Sequence, residues 1–250
     1  MSNMEKYVLI TGASSGIGRE ISVQISQQYN LILHGRDRQK LESVKQDCNH
    51  QSVVMIWQND LNDIGNIEIS LKEFIKANKI SVSAFVHSAG YMKMLPLKAT
   101  NLKILNETMN INLFSAILIS KVLANKVVNG SDLSRIVFIS SNISNFGSKA
   151  FSSYAASKSA LDGFMRCLAV ELAPNVRVNS VLPGGVRTSM TEAIYENPQV
   201  IERMKAQYPL GLGETSDIAN AVGFLLSDQS RWVTGQQITV DGGRTINITG

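Results

Sequence analysis

The stretch YVLITGASSGIGRE, residues Tyr7 to Glu20, decides the fold of this 250-residue chain. A short run of Val, Leu and Ile leads directly into Gly12, Gly16 and Gly18, and a helical pattern follows. Glycines allow a tight turn and a close approach of the backbone to a ligand, and the next helix points its amino terminus at that ligand. The stretch therefore predicts a strand, a pyrophosphate-binding turn and a helix, with a purely structural turn as the alternative.

The same alternation of strand and helix patterns continues along the chain. Short runs rich in Val and Ile, closed by turn residues, predict strands at 7–12, 31–35, 52–60, 84–90, 135–141, 176–184 and 236–243. Helical periodicity lies between them, at 16–28, 38–48, 64–78, 102–129, 152–172 and 216–227. Interleaved strands and helices predict an α/β fold, a doubly wound parallel seven-stranded sheet with helices on both faces, as a single domain over 1–250.

Composition excludes several classes of function. The chain has 24 basic and 20 acidic residues, a net charge of +4, and no block of five or more like charges, so neither nucleic acid nor a membrane surface is an expected partner. Cys48 and Cys167 lie far apart, and none of the three histidines has ligand spacing, so we expect no disulfide framework and no metal. The hydrophobic runs are too short for a signal peptide or a membrane span, which favours a cytoplasmic protein.

The end of the second predicted strand bears on the choice of cofactor. An acidic residue there would bind the ribose 2′-hydroxyl of NAD, whereas a cation suits the 2′-phosphate of NADP. The sequence places Arg36 and Arg38 at this point with Asp37 between them, which favours NADP(H) over NAD(H). Asp60, which closes the third strand, is placed to meet the adenine edge, with a solvated turn residue as the alternative.

The segment 188–213 lies outside the alternation of strands and helices. It follows the carboxyl end of a strand, the edge at which open α/β sheets bind their ligands. We therefore expect a mobile substrate-binding lid, with a surface helical hairpin as the alternative.

The stretch SSYAASKSAL, residues 152–161, pairs a tyrosine with a lysine in a segment rich in Ala and Ser. Tyr154 and Lys158 stand four residues apart, so a helix places them on one face, one turn apart. Taken alone, the pair fits an ordinary solvated helix face better than an acid beside the cation that tunes it, because a Tyr and a Lys four residues apart occur by chance in most proteins of this size.

Together with Ser141, these motifs resemble those of the short-chain dehydrogenase/reductase family, with a pattern closest to the 3-oxoacyl-[acyl-carrier-protein] reductases. The resemblance covers nearly the whole chain, through TGASSGIG, HSAG, NINLFSA, SSN, YAASK, VNSVLPGGVRT and TGQQITVDGG. It implies a Rossmann fold and an NAD(P)-dependent oxidoreductase that interconverts a ketone and a secondary alcohol. A nucleotide-binding scaffold without chemistry is the alternative.

The resemblance also implies a role for each matching residue. Tyr154 is the expected general acid or base, Lys158 is expected to lower its pKa and bind the ribose hydroxyls, and Ser141 is expected to bind the substrate oxygen. Asn112 is expected to disturb its helix and hold a water that relays protons to the lysine. The loop 183–188 is expected to bind the nicotinamide carboxamide. The expected cofactor contacts are Gly12, Ser14, Ser15, Gly16, Ile17, Gly18, Arg36, Asp60, Leu61, Ser88, Ala89, Gly90, Tyr154, Lys158, Pro183, Gly184, Val186 and Thr188.

Two departures from the family pattern limit what the resemblance implies. The family usually has Asn-Asn-Ala-Gly after the fourth strand, and this chain has His-Ser-Ala-Gly at 87–90, which puts side-chain bracing of the sheet in doubt. The loops NGSDLS and APNV, before the fifth and sixth strands, are not basic. An acyl-carrier protein is therefore a less favoured partner than a free small carbonyl compound, although a 3-oxoacyl thioester substrate stays open.

Two of the predicted helices favour self-association. The helices at 102–129 and 152–172 carry apolar residues beyond the needs of one buried face, and the family resemblance implies a homotetramer or a dimer. The residues that carry this expectation are Ile117, Leu118, Phe164, Met165 and Leu168.

Overall fold

The computed structural model describes residues 7–196 and 198–247, which include one seven-stranded sheet. All neighbouring strands pair in parallel, in the order β3-β2-β1-β4-β5-β6-β7. The strands are Tyr7–Thr11 (β1), Asn30–Gly35 (β2), Val54–Gln58 (β3), Val82–His87 (β4), Arg135–Ile139 (β5), Arg177–Pro183 (β6) and Gln237–Val240 (β7). The predicted α/β fold is confirmed; β2 begins one residue earlier than predicted, and the other six strands are shorter than predicted, mainly because the turn residues at their ends leave the sheet.

Helices cover both faces of the sheet. They are Gly16–Ile25 (α1), Arg38–Asp47 (α2), Ile64–Asn78 (α3), Leu102–Met109 (α4), Ser115–Ala124 (α5), Lys126–Asn129 (α6), Ser152–Glu171 (α7), Glu192–Tyr195 (α8), Pro198–Gln207 (α9) and Thr215–Leu226 (α10). Residues of α3, α5 and α7 pack on one face against Leu9 and Phe85, and residues of α1, α2 and α10 pack on the other against Val8 and Ile10. Because both faces are covered, the strands read as continuous apolar runs.

The prediction of one helix over 102–129 is wrong. A π-helical turn, Asn110–Phe114, separates α4 from α5, and the chain leaves the helix again at Asn125. The Asn125 side chain accepts a hydrogen bond from the Val127 N–H and so begins α6. The apolar period of the sequence is continuous over this range, but the helix is interrupted where polar side chains bond to backbone groups outside it.

Part of the predicted apolar surface belongs to the core instead. Met165 is fully buried and Leu168 is 7% exposed, so these two residues of α7 are not available to a partner subunit. Their spacing along α7 turns them toward the sheet, where both join the hydrophobic core. Among residues 7–196 and 198–247, no helix is long and apolar enough to cross a membrane.

The segment 188–213 contains the short helices α8 and α9, and Asn197 between them lies outside the described residues. Its carboxyl end is tied to the sheet edge, because the Gly213 N–H donates to the Gly185 carbonyl at 3.1 Å and the Leu210 N–H donates to the Gly242 carbonyl at 3.0 Å. Mobility of this segment stays a prediction.

Two histidines are buried at the carboxyl ends of β2 and β4. The His34 ring packs on the Trp57 ring with 4.7 Å between centroids. His87 Nδ1 lies 2.9 Å from the Thr11 hydroxyl, which also accepts from the Ala89 N–H at 3.2 Å. This contact links β1, β4 and the loop after β4, so His87 supplies bracing where the family usually has Asn. Burial lowers the pKa of His34 to about 4 and, aided by the positive charge of Lys158, that of His87 to about 3.

We predict that the protein loses stability as the pH falls below about 6.5. The unfolded chain protonates both histidines near that pH, whereas the folded chain holds them neutral to about 4 and 3. The unfolded state therefore binds more protons in this window, and the free energy of unfolding should fall by up to about 1.4 kcal/mol per pH unit for each histidine. His87→Asn should reduce the slope, as measured by urea unfolding at several pH values, whereas the exposed control His50→Asn should leave it unchanged. Identical slopes for all three proteins would contradict this account.

Candidate active site

A cavity of about 690 Å³ opens at the carboxyl edge of the sheet. It lies at the ends of β1 and β4, where the strand order reverses direction, the usual ligand position in doubly wound sheets. Every residue predicted to contact the cofactor lines this cavity. Ser141, Tyr154 and Lys158 line it as well, while Asn112 lies behind its wall.

The glycine-rich turn after β1 can be built only with glycine at two positions. Gly12 has a φ of +68°, and a Cβ there would lie 2.7 Å from Ala89 Cα. A Cβ on Gly18 would lie 2.2 Å from the Gly12 carbonyl oxygen. Ser15, which precedes α1, makes no side-chain cap, so the first N–H groups of α1 are available to an anion in the cavity. These features fit a pyrophosphate.

Helix α7 places Tyr154 and Lys158 on the cavity wall, one turn apart. The buried Lys158 Nζ donates to the carbonyl oxygen of Ile139 at 2.8 Å and lies 5.8 Å from the centre of the Tyr154 ring. Ser141 follows the end of β5, and its hydroxyl oxygen accepts from the Ile143 N–H at 3.3 Å. Three side chains from two elements thus converge on one end of the cavity.

The pKa of Tyr154 is shifted upward, whereas the family resemblance implies a downward shift. Burial raises the pKa of Tyr154 to about 12, and the hydrogen bond from Ser141 opposes that rise. Burial lowers the pKa of Lys158 to about 8, and the charge of Asp162 opposes that fall. Burial therefore outweighs the hydrogen bond from Ser141 and leaves the pKa of Tyr154 above its ordinary value, and the expected lowering by Lys158 stays a prediction.

Asn112 lies within the π-helical turn and joins three parts of the chain. Its Oδ1 accepts from the Tyr91 N–H at 2.7 Å, and its Nδ2 donates to the Tyr91 carbonyl at 3.0 Å. The same Nδ2 donates to the Ser157 hydroxyl at 2.9 Å, and Ser157 donates to the Tyr154 carbonyl at 2.7 Å. Asn112 therefore fixes the loop after β4 against the turn of α7 that carries Tyr154.

Other residues line the cavity that sequence reasoning did not name individually as contacts, although several of them lie in the predicted lid segment 188–213. Some are immediate neighbours of predicted residues, so adjacency to a motif was their only signal, while others come from the segment 188–213, where side-chain contacts depend on the path of the chain. These residues include His34, Gly35, Tyr91, Met92, Ser140, Asn142, Phe151, Met190, Tyr195, Met204 and Tyr208. Within the described parts of the chain, no group of three or more His, Cys, Asp and Glu is placed to hold a metal ion.

Comparisons with known proteins match almost the whole chain. A family model described as enoyl-(acyl carrier protein) reductase matches residues 12–245. Carbonyl reductase [NADPH] 2 from Sus scrofa is 28% identical over 239 residues, 94% of each protein. The 3-oxoacyl-[acyl-carrier-protein] reductase of Staphylococcus aureus is 30% identical over 246 residues, 96% of this chain and 98% of the relative. A solved structure of 4-hydroxyisoleucine dehydrogenase complexed with NADH superposes with a TM-score of 0.89 at 27% identity, covering 97% of this chain and 99% of that one.

The contacts of Asn112 lead to a prediction about stability. Asn112→Ala should lower the free energy of unfolding by about 2 kcal/mol or more, because each buried partner left unsatisfied costs about 1–3 kcal/mol. Asn110→Ala is the matched control in the same turn, since the Asn110 side chain bonds to the exposed Asn62 alone among the described residues. Urea unfolding of both variants measures the free energy of unfolding. An equal decrease for the two variants would show that the buried bonds of Asn112 stabilise the fold no more than the exposed bonds of Asn110 do.

Proposed function

The chain belongs to the short-chain dehydrogenase/reductase family of NAD(P)-dependent enzymes that act on alcohol and carbonyl groups, and we propose that it transfers hydride between NADP(H) and a ketone or secondary alcohol, with Tyr154 as general acid or base. One observation carries this proposal. The phosphate-binding turn and the Ser141, Tyr154 and Lys158 side chains line the same cavity, so a dinucleotide held by the turn extends toward the reactive group.

The cavity supports a nicotinamide dinucleotide along its length. Gly12, Gly18 and the start of α1 would hold the pyrophosphate, with the adenosine toward Asp60 and Leu61 and the nicotinamide toward the 183–188 loop. A Cβ on Gly16 would lie 3.2 Å from the Thr188 side chain, so the turn and this loop face each other across the cavity. When bound, the cofactor supplies or accepts the hydride.

The proposed preference for the 2′-phosphate depends on which of three neighbouring charged side chains already have a partner in the protein. Asp37 caps α2 by accepting from the Lys40 N–H at 3.1 Å, and Arg38 pairs with Glu42 at 3.4 Å. Arg36 is exposed, lines the cavity and forms no ion pair with the described residues. The cation at the end of β2 is therefore free for a phosphate, while the acidic side chain is engaged elsewhere.

The proton step follows from the arrangement of the four side chains. In the reducing direction Tyr154 donates its hydroxyl proton to the carbonyl oxygen, and Ser141 binds the same oxygen. A Lys158 amine with a pKa of about 8 stays mostly protonated at neutral pH and can return a proton to the site. Asn112 positions this turn of α7 through its bond to Ser157.

We also propose a substrate class, an oligomeric state and a location for the protein. A 3-oxoacyl thioester is one substrate that this chemistry would serve, as the name of the Staphylococcus aureus relative suggests. Half-buried Ile117, Leu118 and Phe164, with Val170 on α7 at 80% exposure, support self-association as a homotetramer or dimer. A cytoplasmic location fits this function.

Tyr154→Phe should separate binding from catalysis. The variant removes one hydroxyl from a ring that otherwise packs unchanged, so the fold and NADPH binding should persist while turnover falls at least about a hundredfold. NADPH fluorescence titration and the rate of carbonyl reduction measure the two quantities. Lys158→Met is the comparison and should damage both, because the ammonium is also expected to hold the ribose. Near-normal turnover by Tyr154→Phe would show that another group supplies the proton.

Arg36→Ala should weaken NADPH binding and spare NADH. A charge-assisted bond to the 2′-phosphate is worth about 1.5–3 kcal/mol, or about ten- to a hundredfold in affinity. Arg38→Ala is the neighbouring control and should change NADPH affinity less, since Arg38 already pairs with Glu42. Equilibrium titration with both nucleotides decides this, and a wild-type protein that binds NADH as tightly as NADPH would refute the assignment.

A further inference from the structure

The part of the cavity beyond Tyr154 carries no charged side chain among the described residues that line it. The charged residues of the whole lining are Arg36, Asp60 and Lys158. The first two belong to the proposed adenosine end, and the Lys158 ammonium, which donates to the Ile139 carbonyl, is expected to hold the cofactor ribose. A substrate carboxylate or phosphate placed beyond Tyr154 would lose water without gaining a dedicated partner, at considerable cost.

The wall at this end is largely apolar and adaptable. Met92 lies in the loop after β4, Ile143 and Phe151 lie between β5 and α7, and Met190 and Met204 belong to the 188–213 segment. The Met190 methyl group lies 3.4 Å from where a Cβ on Gly90 would be. Methionine side chains adjust their shape to an apolar guest, so this wall suits alkyl groups of variable form.

Several neutral polar groups around this end are already engaged. The Tyr208 hydroxyl accepts from the Gly185 N–H at 2.8 Å. The Thr191 hydroxyl donates to the Val186 carbonyl at 2.8 Å and accepts from the Thr188 N–H at 2.9 Å. These side chains shape the cavity, but the hydrogen bonds named here are made within the protein and not to a ligand.

Tyr195 on α8 is the exception. Its hydroxyl oxygen is buried, the residue lines the cavity, and the hydroxyl makes no hydrogen bond to the described residues. A buried donor without a partner destabilises the protein, and a ligand acceptor would remove that cost.

Building on the proposed function, we propose that the substrate is an uncharged, largely apolar carbonyl compound with a second neutral acceptor oxygen, which binds the Tyr195 hydroxyl. A 3-oxo ester or thioester has this chemistry. In the reaction, hydride from the reduced nicotinamide forms the new C–H bond at the keto carbon, the C=O π bond breaks, and the oxygen takes the proton of Tyr154. Tyr195 binds the distal oxygen and transfers no proton.

Three small substrates test the charge and the second acceptor separately. Ethyl 3-oxobutanoate is neutral with an ester oxygen, 3-oxobutanoate is the matched anion, and 2-heptanone is neutral and similar in length with no second acceptor. With NADPH, the ester should exceed the anion in kcat/KM by at least about tenfold, because the anion must be desolvated without a partner. Equal or faster reduction of the anion would overturn the proposal.

Tyr195→Phe tests the second acceptor. It should lower kcat/KM for ethyl 3-oxobutanoate by about two- to tenfold, the scale of one neutral hydrogen bond, and leave 2-heptanone unchanged. Thermal stabilisation of the NADP⁺-loaded protein by the ester, a complex that cannot react, should fall in parallel, while the remote control Tyr7→Phe should change neither quantity.

The outcomes distinguish a failure of the proposed substrate class from a failure of the proposed function. Equal losses for the ester and 2-heptanone, or no loss for either, would overturn the role of Tyr195 and leave carbonyl reduction standing. NADPH binding without reduction of any of the three compounds would refute the proposed function itself, and the substrate class with it.

Discussion

The reactive end of the cavity depends on the hydrogen bond from Lys158 Nζ to the Ile139 carbonyl at 2.8 Å. Lys158 is only 3% exposed, and a buried ammonium is tolerated only when polar groups surround it. The carbonyl at the end of β5, the charge of Asp162 and the face of the Tyr154 ring supply that environment. The same bond sets the rotation of α7 against the sheet, and with it the position of Tyr154.

A second network holds this helix from the other side. Asn112 bonds to both backbone polar groups of Tyr91 and, through Ser157, to the Tyr154 carbonyl. The loop after β4, the π-helical turn and α7 are thereby fixed without a ligand. Such preorganisation matters because proton transfer requires the donor within hydrogen-bond reach of the substrate oxygen. Burial keeps Tyr154 protonated, the form needed to donate a proton in the reducing direction.

Sequence reasoning reached the fold and the places of the site residues for identifiable reasons. Runs such as YVLITG and the glycines after them reflect strands buried on two faces and a turn that leaves no room for a Cβ, so local pattern and tertiary structure agree. The apolar period did not predict the break in the helix at 110–114, because the break depends on a contact between Asn112 and residues distant in the chain. Burial of Met165 and the upward pKa shift of Tyr154 were missed for the same reason, since both depend on what packs around a side chain. The resemblance named Asn112 as a disturbed helix position, but only the structure shows its partners.

The central claim is that the phosphate-binding turn and Tyr154 serve one reaction in one cavity. A single-turnover experiment tests it most directly, with enzyme in excess of NADPH and ethyl 3-oxobutanoate added to the preformed complex. The account predicts that the near-ultraviolet absorbance of NADPH is lost completely, with one hydroxy ester formed for each NADPH oxidised. NADPH that binds, as its fluorescence shows, yet keeps its absorbance with this ester and with other neutral ketones would contradict the account.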